Sequence, residues 1–331
     1  MSAGRAPSAG RRALAAALLA AAALLAPPTC AGTLGAALGF CETPTPLSAT
    51  QKDRLLRFTA LLKATLERSG RRVALIARSG TDLRLFDLTY SHAGVALQAS
   101  ANGPWSVRQL YFACEERRPR LFDQGLAGFV FGTDNPRSGF VSILLLPEAA
   151  GAALERAALD SRRALALLAG SYSANAYAYA LDHQNCNQWV AELLAEAWST
   201  GPAPSAWRPE STAPDADGPG PEAPRRPAAQ LWLREQGYQP HGFQMVWSPL
   251  THLASLLPFL HRDDHPEPAL HEGRFDVSMP QSLEAFVQRR LPGVERVEFC
   301  HQGEHAVLRR GWRPIGRDCV AAEGDEVIAL D

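Results

Sequence analysis

An α+β fold with a mainly antiparallel sheet is what this sequence predicts, and three observations predict it. Short apolar and β-branched runs cluster in the first half of the chain and return at its C-terminus. Alanine- and leucine-rich stretches of helical period lie before and after the first cluster. Two of the strand-like runs flank Asn102-Gly103, a dipeptide suited to a tight turn between antiparallel neighbours. Helices placed before and after the strands, rather than alternating with them, give α+β.

The chain opens with Arg5, Arg11 and Arg12, followed by an uninterrupted apolar stretch from Ala13 to Ala26. At about 14 residues it has the length of a signal-peptide core and is short for a bilayer span. Small residues around Thr29, Cys30 and Ala31 then make residues 1–31 a signal peptide cleaved after Ala31. The protein is expected to be periplasmic or otherwise exported. A lipoprotein acylated at Cys30 is the less favoured alternative, because Pro28-Thr29 departs from the small-residue pattern that processing requires. No transmembrane segment is expected after the leader.

The first helix is expected over Ala49 to Arg68, with Ser48 and Gln51 spaced as a capping box and Gly70 as the stop. Strand-like runs follow at Arg72 to Arg78, Leu83 to Leu88, Ser91 to Gln98, Trp105 to Ala113 and Phe140 to Leu146. Helical patterning covers Pro147 to Leu159, Arg162 to Leu168 and Cys186 to Trp198. Residues 200–227 are rich in Pro, Ala, Gly and acidic side chains and read as a linker. Short helices are expected at Ala228 to Gln236, Leu250 to Leu256 and Ser278 to Leu291, then strands around Val297, Val307 and Val327. The organisation is thus a leader, a core over residues 32–199, the linker, and an extension over 228–331 packing on the core.

With 46% hydrophobic residues, 20% charged residues and a formal net charge of −1, the chain lacks the basic surplus of a nucleic-acid binder. It has no Cys-x-x-Cys pair, and its Gly-rich linker lacks the Lys-Ser/Thr ending of a nucleotide loop, so no cofactor is expected. Without the leader, Cys41, Cys114, Cys186, Cys300 and Cys319 are left. An odd number in an exported protein leaves one thiol unpaired. The order of the strand runs favours Cys300 with Cys319, and Cys41 with Cys114 would tie the N-terminal arm to the core. Spacing alone does not fix connectivity.

Two stretches carry candidate chemistry. Tyr90-Ser91-His92-Ala93-Gly94-Val95-Ala96-Leu97 puts a histidine at the start of a strand. Gln184-Asn185-Cys186-Asn187-Gln188-Trp189-Val190-Ala191-Glu192-Leu193-Leu194 puts a cysteine where a polar loop turns into an amphipathic helix. The first N–H groups of a helix lack intrahelical partners and carry the positive end of its dipole. A thiol there is expected to titrate below its ordinary value of about 8.5, with a nearby imidazole as proton shuttle. The bland reading is a half-buried or disulfide-bonded cysteine at a helix cap.

Ser-His-Ala-Gly-Val on a strand, followed later by Asn-Cys at a helix start, resembles the permuted NlpC-type branch of the papain-like superfamily, which includes lecithin:retinol acyltransferase-like proteins. In that branch the histidine strand precedes the cysteine helix, as here. The chain also resembles an uncharacterised bacterial family, domain of unknown function 2145. The stretches that carry this likeness are Arg72 to Gly80, Trp105 to Tyr111, Tyr172 to Tyr177 and the Cys186 motif. The superfamily resemblance implies a permuted papain-like core whose sheet packs against the Cys186 helix. It also implies Cys186 as nucleophile, His92 as its base, and a third polar residue on the next strand orienting the imidazole.

Folding the hairpin about Asn102 brings Gln109 and Tyr111 opposite His92, which makes Gln109 the candidate. Ser106 or Arg108 would replace it if the register slipped by one. Oxyanion donors would be the Cys186 backbone N–H and the side chain of Gln184, with Asn185 and Asn187 in support.

His183 competes with His92 as base. His261, Asp263, Asp264, His265, Glu267 and His271 look like a hard-metal cluster but lack a ligand spacing, and a charged surface loop is the simpler reading, so no metal is assigned. Trp105, Tyr111, Tyr172, Tyr177 and Tyr179 read as core before substrate groove. The resulting expectation is an exported thiol hydrolase or acyltransferase acting on an amide, ester or thioester, with cell-wall peptides or lipids as candidate substrates. The alternative is an inactive envelope binding or scaffold protein on the same fold.

Overall fold

The computed structural model describes residues 46–199, 225–245 and 257–331, within one compact unit, Pro44–Asp331. The leader, Cys41, most of the linker and the helix expected from Leu250 to Leu256 lie outside the described residues. The helices are α1 (Ala49–Arg68), α2 (Leu126–Phe131), α3 (Glu148–Leu159), α4 (Ser161–Ala166), α5 (Cys186–Ser199), α6 (Arg225–Glu235), α7 (Glu267–His271) and α8 (Pro280–Arg290). The strands are β1 (Val73–Arg78), β2 (His92–Leu97), β3 (Ser106–Ala113), β4 (Arg118–Gln124), β5 (Ser138–Leu145), β6 (Ser171–Tyr172), β7 (His183–Gln184), β8 (His241–Gln244), β9 (Arg274–Val277), β10 (Glu295–Gln302), β11 (His305–Arg310) and β12 (Glu326–Ala329).

The protein is α+β, built on an antiparallel sheet of order β12-β11-β10-β5-β1-β2-β3-β4. Helix α1 begins at the capping box: Gln51 N–H donates to Ser48 Oγ at 3.2 Å, and Ser48 N–H donates to Gln51 Oε1 at 2.9 Å. Its apolar stripe of Leu55, Phe58, Leu62 and Leu66 packs with Phe129 and Val130 of α2 over one sheet face, against Ile76, Ala96, Val107, Ile143 and Phe299. Full burial of each such large side chain contributes about 1.5–3 kcal/mol, which fixes this face as the main core. On the other face α5 crosses β2 and β3, and α3 covers β1; Val190 of α5 meets Leu75, Ala77 and Ala93 there.

The segment beyond the linker is part of the sheet. Strand β10 pairs along β5 from Glu295 with Leu145 to Gln302 with Ser138, and carries β11 and β12 outward. Cys300 and Cys319 form a disulfide there. The stretch read as a strand over Leu83 to Leu88 is instead a 3₁₀ turn, Arg84–Phe86, ending at Asp87 with φ of 57°. Its cause is local: the Asp82 carboxylate accepts the Arg84 N–H at 3.0 Å and holds the Arg84 guanidinium, which competes with strand pairing. Strand β4 escaped the sequence reading because Arg118-Pro119-Arg120 breaks the apolar pattern, as edge strands often do.

Candidate active site

Asn185 sets the start of α5. Its Oδ1 accepts the Gln188 N–H at 2.7 Å, which satisfies one of the orphan donors, and its amide donates to the Ser278 carbonyl at 3.2 Å. Cys186, the first helical residue, is the free cysteine among the described residues and is 7% exposed. Cys114 is disulfide-bonded, and its expected partner Cys41 lies outside the described residues. Asn187 Nδ2 donates to the Ser91 carbonyl at 3.2 Å and ties the helix entrance to the residue before His92.

A local parting of strands brings the two motifs together. Residue pairing between β2 and β3 runs only from Leu97 with Ser106 to Val95 with Arg108. Gln98 N–H donates to the Arg72 carbonyl, so even-numbered amides of β2 turn to β1 and odd ones, Ala93 included, turn to β3. Below Val95 the Ala93 N–H has lost its strand partner, and the Cys186 sulfur accepts it. Helix α5 therefore approaches from one face while its sulfur sits at the edge of β2, in the wedge between the strands. The His92 side chain turns to the other face, where its ring contacts Tyr111 and Phe129. Gly94 permits the close approach of β2 to β3 here: a Cβ there would lie 2.6 Å from Val107 Cγ1, 3.0 Å from the Arg108 carbonyl oxygen and 3.2 Å from Gln109 Cβ.

His92 is 7% exposed, and its Nε2 lies 2.7 Å from Gln109 Oε1. Gln109, wholly buried, donates its own amide to Gln124 Oε1 at 2.7 Å. Because Oε1 can only accept, the neutral ring carries its proton on Nε2 and keeps its lone pair on Nδ1. Nδ1 makes no hydrogen bond among the described residues. The ring stacks on Tyr111 with centroids 4.7 Å apart.

Arg78, the last residue of β1, adds a cation to the site. It pairs in register with His92, donates to Tyr111 Oη at 2.7 Å and lies over the Phe129 ring. Its charge is felt at both His92 and Cys186. Tyr172 is the other neighbour: burial, then the charges of Cys186 and Tyr111, push its hydroxyl well above its ordinary range. An arginine closing the apolar run Val73 to Ala77 was the available signal for Arg78.

Electrostatics differ from the expected lowered thiol. Burial pushes Cys186 up to about 11, against the pull of Arg78 and of the N–H groups of Asn187, Ala93 and Cys186 itself. Burial, and then Arg78, push His92 down to about 3, against the hydrogen bond to Gln109. The resting pair is a neutral thiol and a neutral imidazole, because desolvation of both charged forms outweighs the helix-entrance donors.

The other expected donors are occupied elsewhere. Gln184 is buried with its amide donating to the Leu167 carbonyl and to Glu192, while its Oε1 accepts from Ala169 N–H. It belongs to the network of Glu192, Arg226 and Gln230 that fastens α6 to α5. The Asn185 and Asn187 side chains hold backbone groups, as given above, so the donors facing the sulfur are main-chain N–H groups. His183 is held by Ser171 Oγ and Asp263 Oδ1, both at 2.9 Å, and stacks on His261. His183, His261 and Asp263 bring possible ligand atoms within 4.8 Å of one another. Their imidazoles lie 4.1 Å apart and only 9° from parallel, so without ring rotation no one point lies in both ring planes, where the nitrogen lone pairs point.

No curated protein and no solved structure matches the chain significantly. A family model described as "Uncharacterized protein conserved in bacteria (DUF2145)" matches residues 65–287, from the end of α1 into α8, and the chain belongs to that family.

Proposed function

We propose that this protein is an exported thiol hydrolase or acyltransferase on a permuted papain-like core, acting on an amide, ester or thioester, with cell-wall peptide as one candidate substrate. The observation that carries the reading is the Cys186 sulfur on the N–H of Ala93, the residue after His92, whose ring proton Gln109 holds on Nε2 and leaves Nδ1 as the base. His92 Nδ1 takes the thiol proton as the sulfur–carbon bond forms, which suits a pair that rests uncharged. The oxyanion develops beside the main-chain N–H groups at the helix entrance. The leaving group departs with the proton from His92, and water or a second acceptor then releases the acyl group.

Export is supported by the Cys300–Cys319 disulfide, which suits an oxidising compartment. No helix among the described residues is long and apolar enough to cross a membrane. The test is trapping with a thiol-directed electrophile and peptide mapping. Selective modification of Cys186 that is lost in a His92→Ala variant supports the pair, and modification indifferent to His92 overturns it.

A second reading, an inactive envelope binding or scaffold protein on the same fold, is favoured by the deep burial of both groups. A folded protein whose Cys186 resists every electrophile would select it.

A further inference from the structure

Arg78 is 4% exposed and forms no ion pair among the described residues. Its Nη2 donates to Tyr111 Oη at 2.7 Å and its Nη1 to the Ser79 carbonyl at 3.3 Å, while Nε is buried without a partner. Asp134 feels the Arg78 charge without an ion pair to it. A buried guanidinium with neither a carboxylate nor full hydrogen bonding is costly, and such costs persist where a function uses them. The surroundings leave room for the group: a Cβ on Gly80 would lie 2.5 Å from Nη1, and one on Gly132 2.5 Å from Nη2. Register sets Arg78 beside His92, and both side chains share Tyr111 and Phe129 as neighbours.

Resting on the reading of Cys186 and His92 as a reactive pair, we infer that Arg78 is the recognition group for a carboxylate carried by the acyl substrate close to its reactive carbonyl. A planar guanidinium matches a carboxylate with two parallel hydrogen bonds, and Arg78 has unspent donors for it. The substrate class narrows accordingly, from any amide, ester or thioester to acidic ones, such as a peptide whose free carboxylate adjoins the scissile bond.

The test compares two alkylating agents of equal size, iodoacetate and iodoacetamide, on the full chain, with Cys186 labelling read by peptide mass. In each case the thiolate sulfur displaces iodide, and the thiol proton leaves to His92 or solvent. The iodoacetate-to-iodoacetamide rate ratio, normalised to free cysteine, is expected to exceed one by about tenfold for a cation at this depth. It falls to one in Arg78→Gln and is retained in part in Arg78→Lys. The ratio persists in His92→Ala, although both rates drop, because the cation belongs to Arg78. A ratio of one in the wild-type protein overturns the carboxylate site and leaves the thiol pair standing. Loss of the ratio in His92→Ala also overturns it, by assigning the charge to the imidazole.

A second readout needs neither a variant nor a reactive thiol. Acetate at about 0.1 M raises the melting temperature above that in chloride of equal ionic strength if the site binds carboxylate. Equal melting temperatures contradict the site even where Cys186 resists both reagents.

Discussion

The sulfur of Cys186 accepts the backbone N–H of Ala93, an amide that β3 leaves unpaired when it parts from β2 below Val95. That relationship ties the entrance of a helix on one side of the sheet to the residue after His92, whose side chain lies on the other.

Gly94→Ala should force β2 and β3 apart where they approach closely. The new methyl meets the Arg108 carbonyl oxygen at 3.0 Å and Val107 Cγ1 at 2.6 Å, and the backbone contact cannot yield as a flexible side chain would. Overpacking of this kind costs about 1–3 kcal/mol. Denaturant unfolding is expected to show that loss, and an unchanged midpoint would mean that the neighbours of Gly94 make room for a methyl without cost.

Gln109→Leu leaves the His92 Nε2–H and Gln124 Oε1 without their partner. Stranding buried polar groups costs about 1–3 kcal/mol, and the imidazole loses what fixes its tautomer. Stability and Cys186 alkylation should therefore both fall. Gln109→Glu restores an acceptor for His92, and the Gln124 amide can rotate to donate, so it should recover the alkylation rate. Recovery of stability without recovery of rate would reduce Gln109 to a structural role.

Stability should depend on pH at both ends. His92 titrates near 3 in the folded protein, below its ordinary 6.5, so the unfolded chain binds a proton first as pH falls. Its contribution is present above pH 6.5 and is lost as pH falls toward 3. His301, lowered by burial to about 4, acts in the same direction. Cys186 has the opposite sign: its folded value near 11 exceeds the unfolded one, so stability declines as pH rises from about 9 to 11. Urea midpoints across this range check both limbs. A His92→Phe variant should flatten the acid limb and a Cys186→Ala variant the alkaline one.

Reducing Cys300–Cys319, which spans 19 residues of sequence, should lower stability by about 3 kcal/mol. Thiol mapping of the denatured, unreduced protein should find Cys186 free. A bonded Cys186 would remove the nucleophile altogether.

Much of this arrangement was legible in the residues. The Ser48–Gln51 box, the apolar stripe of α1, the Asn102-Gly103 turn and the start of α5 at Cys186 are local signals, and the structure contains each. The turn makes β2 and β3 neighbours, but their pairing ends at Val95 with Arg108, and Gln109 meets His92 through side chains beyond it. What stayed hidden is non-local. Nothing within Val73 to Arg78 says that its last residue will face His92 across β1 and β2, because that pairing joins segments separated by an irregular loop. The thiol's raised titration was hidden for the same reason: a helix entrance argues for a lower value, and only packing reveals how much water the site excludes. Gln184 misled because a polar residue two positions before the cysteine gives no sign that it turns inward to Glu192.

The most direct measurement is the rate at which iodoacetamide alkylates Cys186 near neutral pH in the wild-type protein and in folded His92→Ala. A base acting on that sulfur predicts a fall of about a hundredfold or more when the imidazole is removed. Equal rates would contradict it and leave the cysteine and the histidine as neighbours without shared chemistry.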